Sequence, residues 1–416
     1  MGFQAAVNIT EIAGRGRSLV TSQPLRAGQI VLKDSPLILY SASPFIKSSS
    51  PEEKPSKGCY CSHCFKATIF RQSENQSFVP CPSCSNSTDW VLFCSPNCQS
   101  SASVTSHTPW VCQALSRLRD GFSSSNLQQQ LECQVQARFL VAAYNLAVIS
   151  PANFMILLSL QGSSSSSLKL DDSTVFLHSL ISNICPPIIP SSAGFSFSPE
   201  LTAALLSKDK LNAFGLMEPF AEKKERSVRA YGIYPNASFF NHDCLPNACR
   251  FDYLDADGGE MNNTDIIVRV IHDLPQGREI CLSYFPVNLC YSDRQKRLKE
   301  DYGFTCCCDR CKVEANWKEE VEVEEEDEED MDEDADEMMD EGENDFPHQY
   351  FFLRYMCGRK NCGGTLAPVA PSSSEPSTLM ECNVCGKLKS EEEDDDDDDD
   401  DGEEGSMDDG DDAFDT

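Results

Sequence analysis

The sequence has no run of about 18 apolar residues, so it offers no helix able to span a bilayer. Its start lacks the charged-then-apolar segment of a secretory signal. Ala6 stands where a myristoylation signal opening on Met1-Gly2 requires Ser or Thr. No internal tandem repeat is visible. Basic residues are scarce, 34 Lys and Arg against 67 Asp and Glu, and direct nucleic-acid binding is not indicated. These absences point to an intracellular protein with no membrane partner.

Cysteine, by contrast, is abundant, with 22 in 416 residues. Thiols inside a cell stay reduced, so this density points to metal; the alternative, a disulfide framework, belongs to secreted proteins. The chain is long enough for two or three domains with a sizeable core. Its net charge of −33 is unevenly spread. Residues 1–318 carry 28 acidic and 29 basic side chains, whereas 319–416 carry 39 and 5. The body is therefore near neutral. The acidity sits in blocks 319–345 and 391–415, whose like charges repel and resist folding. Such an appendage either solubilises or docks basic proteins such as histones.

Over residues 1–45, short β-patterned runs flank Pro-Gly turns: Ser18-Leu19-Val20, Pro24-Leu25-Arg26-Ala27-Gly28 and Ile30-Val31-Leu32. A Ser/Pro/Lys-rich linker at 47–57 leads into a cysteine-dense segment, 59–112. Leu131, Val135, Phe139, Ala142, Leu146 and Ile149, three and four apart, predict a helix with one apolar face. Helical and loop segments, with a serine run at 163–167, extend to about residue 230. Strand signals return at 265–271 and 279–284, joined by the turn Leu274-Pro275-Gln276-Gly277.

Four cysteine-rich pairs fill the dense segment: Cys61 with Cys64, Cys81 with Cys84, Cys94 with Cys98, and His107 with Cys112. Zinc takes four tetrahedral N/S ligands, and a pair two or three residues apart reaches one ion from a tight turn. Eight ligands therefore imply two zincs, without which so short a segment could hardly fold. Cys59 and His63 read as non-ligands. Cys306, Cys308 and Cys311 offer three thiolates, with Cys307 facing away. Cys357, Cys362, Cys382 and Cys385 have the pair-linker-pair form of a zinc ribbon, against a reading as surface thiols. Cys133, Cys185, Cys249, Cys281 and Cys290 lack partners at ligand spacing and read as small buried apolar groups.

Longer motifs carry a resemblance. The pair order, with Phe93-Cys94-Ser95-Pro96-Asn97-Cys98-Gln99 at the third pair, resembles a MYND finger, although the last pair holds one residue more than usual. Phe239-Phe240-Asn241-His242-Asp243-Cys244-Leu245-Pro246-Asn247 resembles the NHxCxPN segment of SET-domain methyltransferases. So does Gly277-Arg278-Glu279-Ile280-Cys281-Leu282-Ser283-Tyr284 their second motif, Gly14-Arg15-Gly16 their opening turn, and Tyr302-Gly303-Phe304-Thr305-Cys306-Cys307-Cys308-Asp309-Arg310-Cys311 their post-SET cluster. Any one string could be chance. In isolation His242 would read as a structural histidine and Tyr284 as a core tyrosine; their joint order lifts them. Over roughly residues 5–315 the chain is similar to SET/MYND (SMYD-type) protein-lysine methyltransferases, among them the plant histone-lysine methyltransferases with a MYND finger.

The resemblance implies an α+β fold: a mostly β, pseudo-knotted SET domain in two parts, 1–50 and 231–290. Between them come a MYND finger at 59–112 and a helical SET-I insert at 113–230. A post-SET zinc region at 291–315, an acidic linker at 316–350, a ribbon at 351–388 and an acidic disordered tail at 389–416 follow. Helical repeats that follow the post-SET region in many relatives are not visible. The resemblance further implies that the first and third cysteine pairs share one zinc, the second and fourth another, and that Cys244 joins Cys306, Cys308 and Cys311 at a third. S-adenosylmethionine would be held by Gly14, Arg15, Gly16, Asn212, Asn241, His242, Tyr284 and Phe304, with Phe304 stacking on the adenine. Tyr284 and Tyr302 would line the lysine channel, orienting the amine without acid–base chemistry; no general base is evident. A histone substrate in the nucleus, on chromosomes, is the leading expectation. A non-histone lysine in cytoplasm or nucleus, or a weakly active scaffold whose MYND finger binds peptides, are the alternatives.

Overall fold

The computed structural model describes residues 6–45, 59–68, 78–84, 91–124, 131–162, 170–185, 197–222, 226–256, 261–317, 348–370 and 377–390. The 47–57 linker, the 163–167 serine run and both acidic blocks lie outside the described residues.

Local chemistry starts the elements. Gly14 and Gly16 take φ of +76° and +73°, a region that costs other residues a Cβ clash. They allow strands Val7–Ile12 and Gly16–Thr21 to close as an antiparallel hairpin, with Ile12 opposite Gly16. Some helices open on a capping oxygen. Ser95 accepts from Cys98 N at 3.1 Å before Pro96–Val104, Asp171 from Thr174 N at 2.7 Å before Asp172–Ile184, and Ser198 from Leu201 N at 3.2 Å before Pro199–Asn212. In the first and last of these, proline fills the opening helical turn, where no backbone donor is needed.

Residues near the N-terminus pair with residues beyond 213. One antiparallel sheet runs Ala248–Asp252, Ile266–Val270, Ile30–Asp34. A second runs Ile38–Ser41, Val228–Ile233, Ala213–Met217. A short parallel pair, Asn241–His242 with Cys281–Leu282, lies beside the hairpin, tied to it where Ile280 N donates to Leu19 O at 2.8 Å. The predicted 279–284 strand shrinks to those two residues. The Asn247 side chain takes the neighbouring backbone groups, donating to Glu279 O at 2.8 Å and accepting from Cys281 N at 2.9 Å.

The intervening chain makes two lobes. One is cysteine-rich, with two-residue hairpins Cys59–Tyr60/Ala67–Thr68 and Val79–Pro80/Leu92–Phe93 beside the Pro96–Val104 helix. The other is a helical bundle: Pro109–Ser124, Leu131–Ile149, Pro151–Ser159, Asp172–Ile184 and Pro199–Asn212. The Leu131–Ile149 helix forms as its periodicity predicts, but without a single apolar face. Leu131 and Ile149 are exposed at its ends, while Gln134, Ala137, Leu140, Val141 and Tyr144 are buried. The other four helices and the Ile38–Ser41 strand surround its middle, so every side must be apolar or internally bonded. Gln134 meets part of that demand, its Oε1 accepting from Phe45 N at 2.8 Å.

Arg229, its side chain 1% exposed, rivets the cysteine-rich lobe to the second sheet. It donates to Phe65 O at 2.9 Å and pairs with Glu218 and Asp255 at 2.9 and 2.8 Å. Cys133, Cys185, Cys249 and Cys281 are buried, as read from sequence. Cys290 corrects that reading: it is exposed at the start of the Tyr291–Arg297 helix, its Sγ 3.2 Å from Ser292 Oγ. A position before a helix is set by the turn, not by the core. Helices Asp309–Glu314 and Gln349–Tyr355 precede a final sheet, Leu366–Pro368, Leu379–Cys382, Leu388–Ser390.

Candidate functional site

Folding gathers the cysteine pairs into four groups, each with its ligand atoms within 4.8 Å of one another: Cys61, Cys64, Cys94, Cys98; Cys81, Cys84, His107, Cys112; Cys244, Cys306, Cys308, Cys311; and Cys357, Cys362, Cys382, Cys385. The cysteines of these groups are not in disulfides. A tetrahedral zinc with sulfur at about 2.3 Å sets sulfurs about 3.8 Å apart. Cys64 and Cys94 stand 3.7 Å apart, Cys81 and Cys112 3.8 Å, Cys244 and Cys306 3.9 Å, Cys244 and Cys311 3.5 Å. Cys84 and Cys112, at 2.9 Å, are tighter than that edge. Four adjacent thiolates need a cation to coexist, and the donor set is one that zinc takes. Burial holds the His107 imidazole down at about 4, so it is neutral at physiological pH, the ligating form. His63 stands apart, with Nδ1 2.9 Å from Ser106 Oγ.

A second constellation lies where the hairpin meets the parallel pair. Arg15 Nη2 donates to His242 O at 2.9 Å, and Arg15 Nε pairs with Glu279 at 2.8 Å. Asn241 Nδ2 donates to Ser18 Oγ at 2.7 Å and Glu279 Oε1 at 2.9 Å. His242 is buried, which pushes its imidazole down to about 3 and keeps it neutral. Its Nδ1 accepts from Tyr284 N at 3.2 Å, so the proton sits on Nε2, 3.3 Å from Cys244 Sγ. One ring thus joins the tyrosine segment to the third thiol group. Tyr284 OH donates to Phe240 O at 2.9 Å.

Aromatic rings line this region. Tyr284 and Tyr302 have centroids 4.9 Å apart, and Phe304 lies 6.5 Å from Tyr302 and 6.4 Å from His242. Burial raises the phenol pKa of both tyrosines, so both stay protonated donors at neutral pH. Phe304 is 39% exposed, open to a flat partner. A Cβ built on Gly14 or Gly16 meets nothing within 4 Å, so open space lies over that turn.

The third thiol group is backed by buried charge. Glu314 accepts from Arg294 and Arg310, each at 2.5 Å. Arg294, fully buried, also aims Nε at Cys244 Sγ (3.3 Å) and Nη2 at Cys311 Sγ (3.7 Å). Gln295 donates to Cys311 Sγ at 3.2 Å. Donors aimed at thiolates spread their charge and orient them.

Of the residues named from sequence, Arg15, Asn241, His242, Tyr284, Tyr302 and Phe304 converge here, and Gly14 and Gly16 flank Arg15 in the hairpin turn. Asn212 stands one step away. Its Nδ2 donates to Gln161 O and Lys208 O at 2.8 Å, holding the loop whose Ser159 O accepts from Arg17 at 3.0 Å. Sequence reasoning assigned nothing to Glu279, Ser18, Arg294 or Glu314. Glu279 lies within a quoted motif and could have been found there; Arg294 and Glu314 carry no local signal.

A family model for the SET domain matches residues 142–285. The chain is 55% identical over 413 residues, 94% of its length and 96% of the relative's, to "Histone-lysine N-methyltransferase ASHR2" of Arabidopsis thaliana. It is 24% identical over 308 residues, 73% of this chain and 55% of the relative, to "Histone-lysine N-methyltransferase ASHR1" of the same plant. A third similarity, 29% identity over 111 residues and 24% of each chain, is to "Histone-lysine N-methyltransferase SMYD3" of Homo sapiens.

Proposed function

This chain belongs to the SET-domain family of histone-lysine N-methyltransferases, and from that membership we propose that it methylates a histone lysine in the nucleus, on chromosomes, using S-adenosylmethionine. The observation that carries the site assignment is the Arg15–His242–Tyr284 connection, in which one histidine takes a guanidinium on its carbonyl at 2.9 Å and a tyrosine amide on its ring at 3.2 Å.

When bound, S-adenosylmethionine would supply a methyl carried on a sulfonium, for transfer to a neutral lysine amine. The chain supplies position, which accounts for much of such a rate. The Gly14-Arg15-Gly16 turn, Asn241 and His242 would hold the polar part of the cofactor, Asn212 would brace the wall beside them, and Phe304 would cover the adenine. Arg15 and Asn241 are themselves fixed by Glu279. Tyr284 and Tyr302 line the approach of the lysine, excluding water and orienting the amine through protonated hydroxyls. The lysine sheds its proton to water before transfer.

On the same reading, 1–50 and 231–290 are the two parts of the SET domain, 113–230 its helical insert, and 59–112 a MYND finger with two zincs that offers a peptide-binding face. Residues 291–315 form a post-SET region in which Cys244, Cys306, Cys308 and Cys311 hold a third zinc, with 316–350 and 389–416 as acidic appendages. The thiol separations near 3.8 Å support these metal assignments.

Recombinant protein with labelled cofactor, offered nucleosomes, free histones and cell extract, tests the proposal. Label on a histone is the expected result. Label confined to other proteins overturns the histone substrate, and no label anywhere overturns the catalytic reading.

A further inference from the structure

Residues 348–370 and 377–390 form a small unit that the methyl-transfer reading does not use. Its sheet is too slight to hold together by apolar burial alone, and a domain of that size needs a staple or a host. It has both.

The staple is the fourth thiol group. Cys357 and Cys385 stand 3.7 Å apart, and Cys362 and Cys382 3.6 Å, near the edge of a zinc tetrahedron. Cys357, Cys362 and Cys382 are buried. Backbone amides of Val384 and Cys385 point at Cys382 Sγ from 3.4 and 3.5 Å, as they do toward thiolates. Each pair sits on a tight turn with left-handed residues, Asn361 and Gly363 in one, Gly386 in the other. Gly364 leaves room for the cluster: a Cβ there would lie 2.4 Å from Cys382 Sγ.

The host is the central sheet and the segment leaving Tyr284. Tyr355, Leu366, Ala367 and Met380 bury against Phe251, Ile267 and Ile271. Arg269, in the middle strand and 2% exposed, pairs with Glu381 at 2.5 Å. Asn383 Nδ2 reaches Arg250 O at 3.2 Å. The Gly363 turn fits so closely that a Cβ would come within 3.1 Å of Asn288 and 3.4 Å of Pro286. Arg310 also donates to Val287 O at 2.6 Å, and its guanidinium lies 4.6 Å from the Phe352 ring centroid. The stretch between Tyr284 and the Tyr291–Arg297 helix is therefore held at Pro286, Val287 and Asn288.

We propose that Cys357, Cys362, Cys382 and Cys385 hold a structural zinc, and that the module it closes is a clamp positioning residues 286–314, the segment that runs on from the tyrosine motif through Cys306, Cys308 and Cys311 of the third thiol group. The metal site stands independently of the methyltransferase reading; the clamp rests on it, since it acts on the same site. Loss of this zinc would free Glu381 from Arg269, leave a buried cation unpaired, and loosen the wall that carries Tyr302 and Phe304.

Native mass spectrometry of the full chain, with the cysteines protected from alkylation mapped by peptide, reads the metal directly. Four zincs, with Cys357, Cys362, Cys382 and Cys385 protected, is the expected result, falling to three in the Cys382→Ser/Cys385→Ser variant. Alkylation of those four in the undenatured wild type overturns the site. Hydrogen exchange across 286–314 then tests the clamp: it should quicken in the variant, and unchanged exchange overturns the clamp. If that variant does not accumulate, Glu381→Gln/Asn383→Ala weakens docking with all zincs kept, and the same exchange readout applies. Neither measurement depends on activity, so failure here and failure of the methylation assay are told apart.

Discussion

Glu314 holds two buried guanidiniums with one carboxylate. The contacts to Arg294 and Arg310 are both 2.5 Å, with side-chain exposures of 0%, 6% and 5% for Arg294, Arg310 and Glu314. Glu314→Ala would leave two adjacent cations without their anion, a loss that costs about 3–5 kcal/mol for buried pairs. The thiolates of Cys244 and Cys311, which Arg294 also faces, take up part of the exposed charge, so we expect about 3 kcal/mol. For a chain of this size that lowers the melting midpoint by about 3–4 °C. Glu314→Gln keeps an acceptor and should lose about half as much. Zinc should leave the third thiol group faster under chelator, because its backing donors are no longer aligned. Scanning calorimetry and a colorimetric chelator assay read both effects. Adding Arg310→Met to Glu314→Ala removes one of the stranded cations and should recover stability. A midpoint within about 1 °C of wild type, or purely additive losses in the double variant, would refute the reasoning.

Tyr284→Phe removes the hydroxyl that donates to Phe240 O but leaves the backbone amide on His242, so turnover should fall roughly 100-fold while calorimetric cofactor affinity barely moves; a comparable loss of affinity would refute the role given to Tyr284. Asp209 accepts from Tyr40 OH at 2.5 Å, and burial lifts its carboxyl from 3.8 to about 7. The folded state then binds the extra proton between those values, so stability falls as pH rises through that window. Asp209→Asn should stabilise the protein above pH 7, by a few kcal/mol, and change nothing below about pH 4; equal stabilisation at both ends of a denaturation series would count against it. Gly16→Ala, at φ +73°, should cost about 1–2 kcal/mol and weaken cofactor binding, because the added methyl enters the space over the turn; calorimetry showing unchanged affinity would remove that turn from the site.

What could be read from sequence was what is encoded locally. The Cys pairs announce themselves because two ligands on one turn must be close in sequence, and the hairpin because Gly14 and Gly16 can take the left-handed backbone that its tight reversal needs. Helix starts at Ser95, Asp171 and Ser198 follow from capping chemistry. The second half of each interaction was hidden. Nothing near Arg229 foretells that it will meet Phe65 and Asp255, 164 and 26 positions away. The same holds for Arg294 and Glu314. The burial of the Leu131–Ile149 helix on all sides is a property of its neighbours, so periodicity gave the helix but misjudged its surroundings. Cys290 misled for a related reason: an apolar residue type was taken as a sign of the core, whereas the turn before a helix decides its exposure. The shortening of the 279–284 strand depends on the Asn247 side chain displacing ladder bonds, which no local pattern records.

The parallel pairing of Asn241–His242 with Cys281–Leu282 has a consequence for how the protein is made. Arg15 meets groups as far along the chain as Cys281, 266 positions later. At roughly 5–20 residues per second, synthesis of that interval takes tens of seconds. Throughout it the first hairpin has its strand-to-strand bonds but neither of its later neighbours, with an apolar face and a sheet edge uncovered. The cysteine-rich lobe and the helical bundle can mature on their own meanwhile, but closure of the protein must await the last third of translation. Products truncated before residue 285 would keep that edge bare and should be held by chaperones or aggregate.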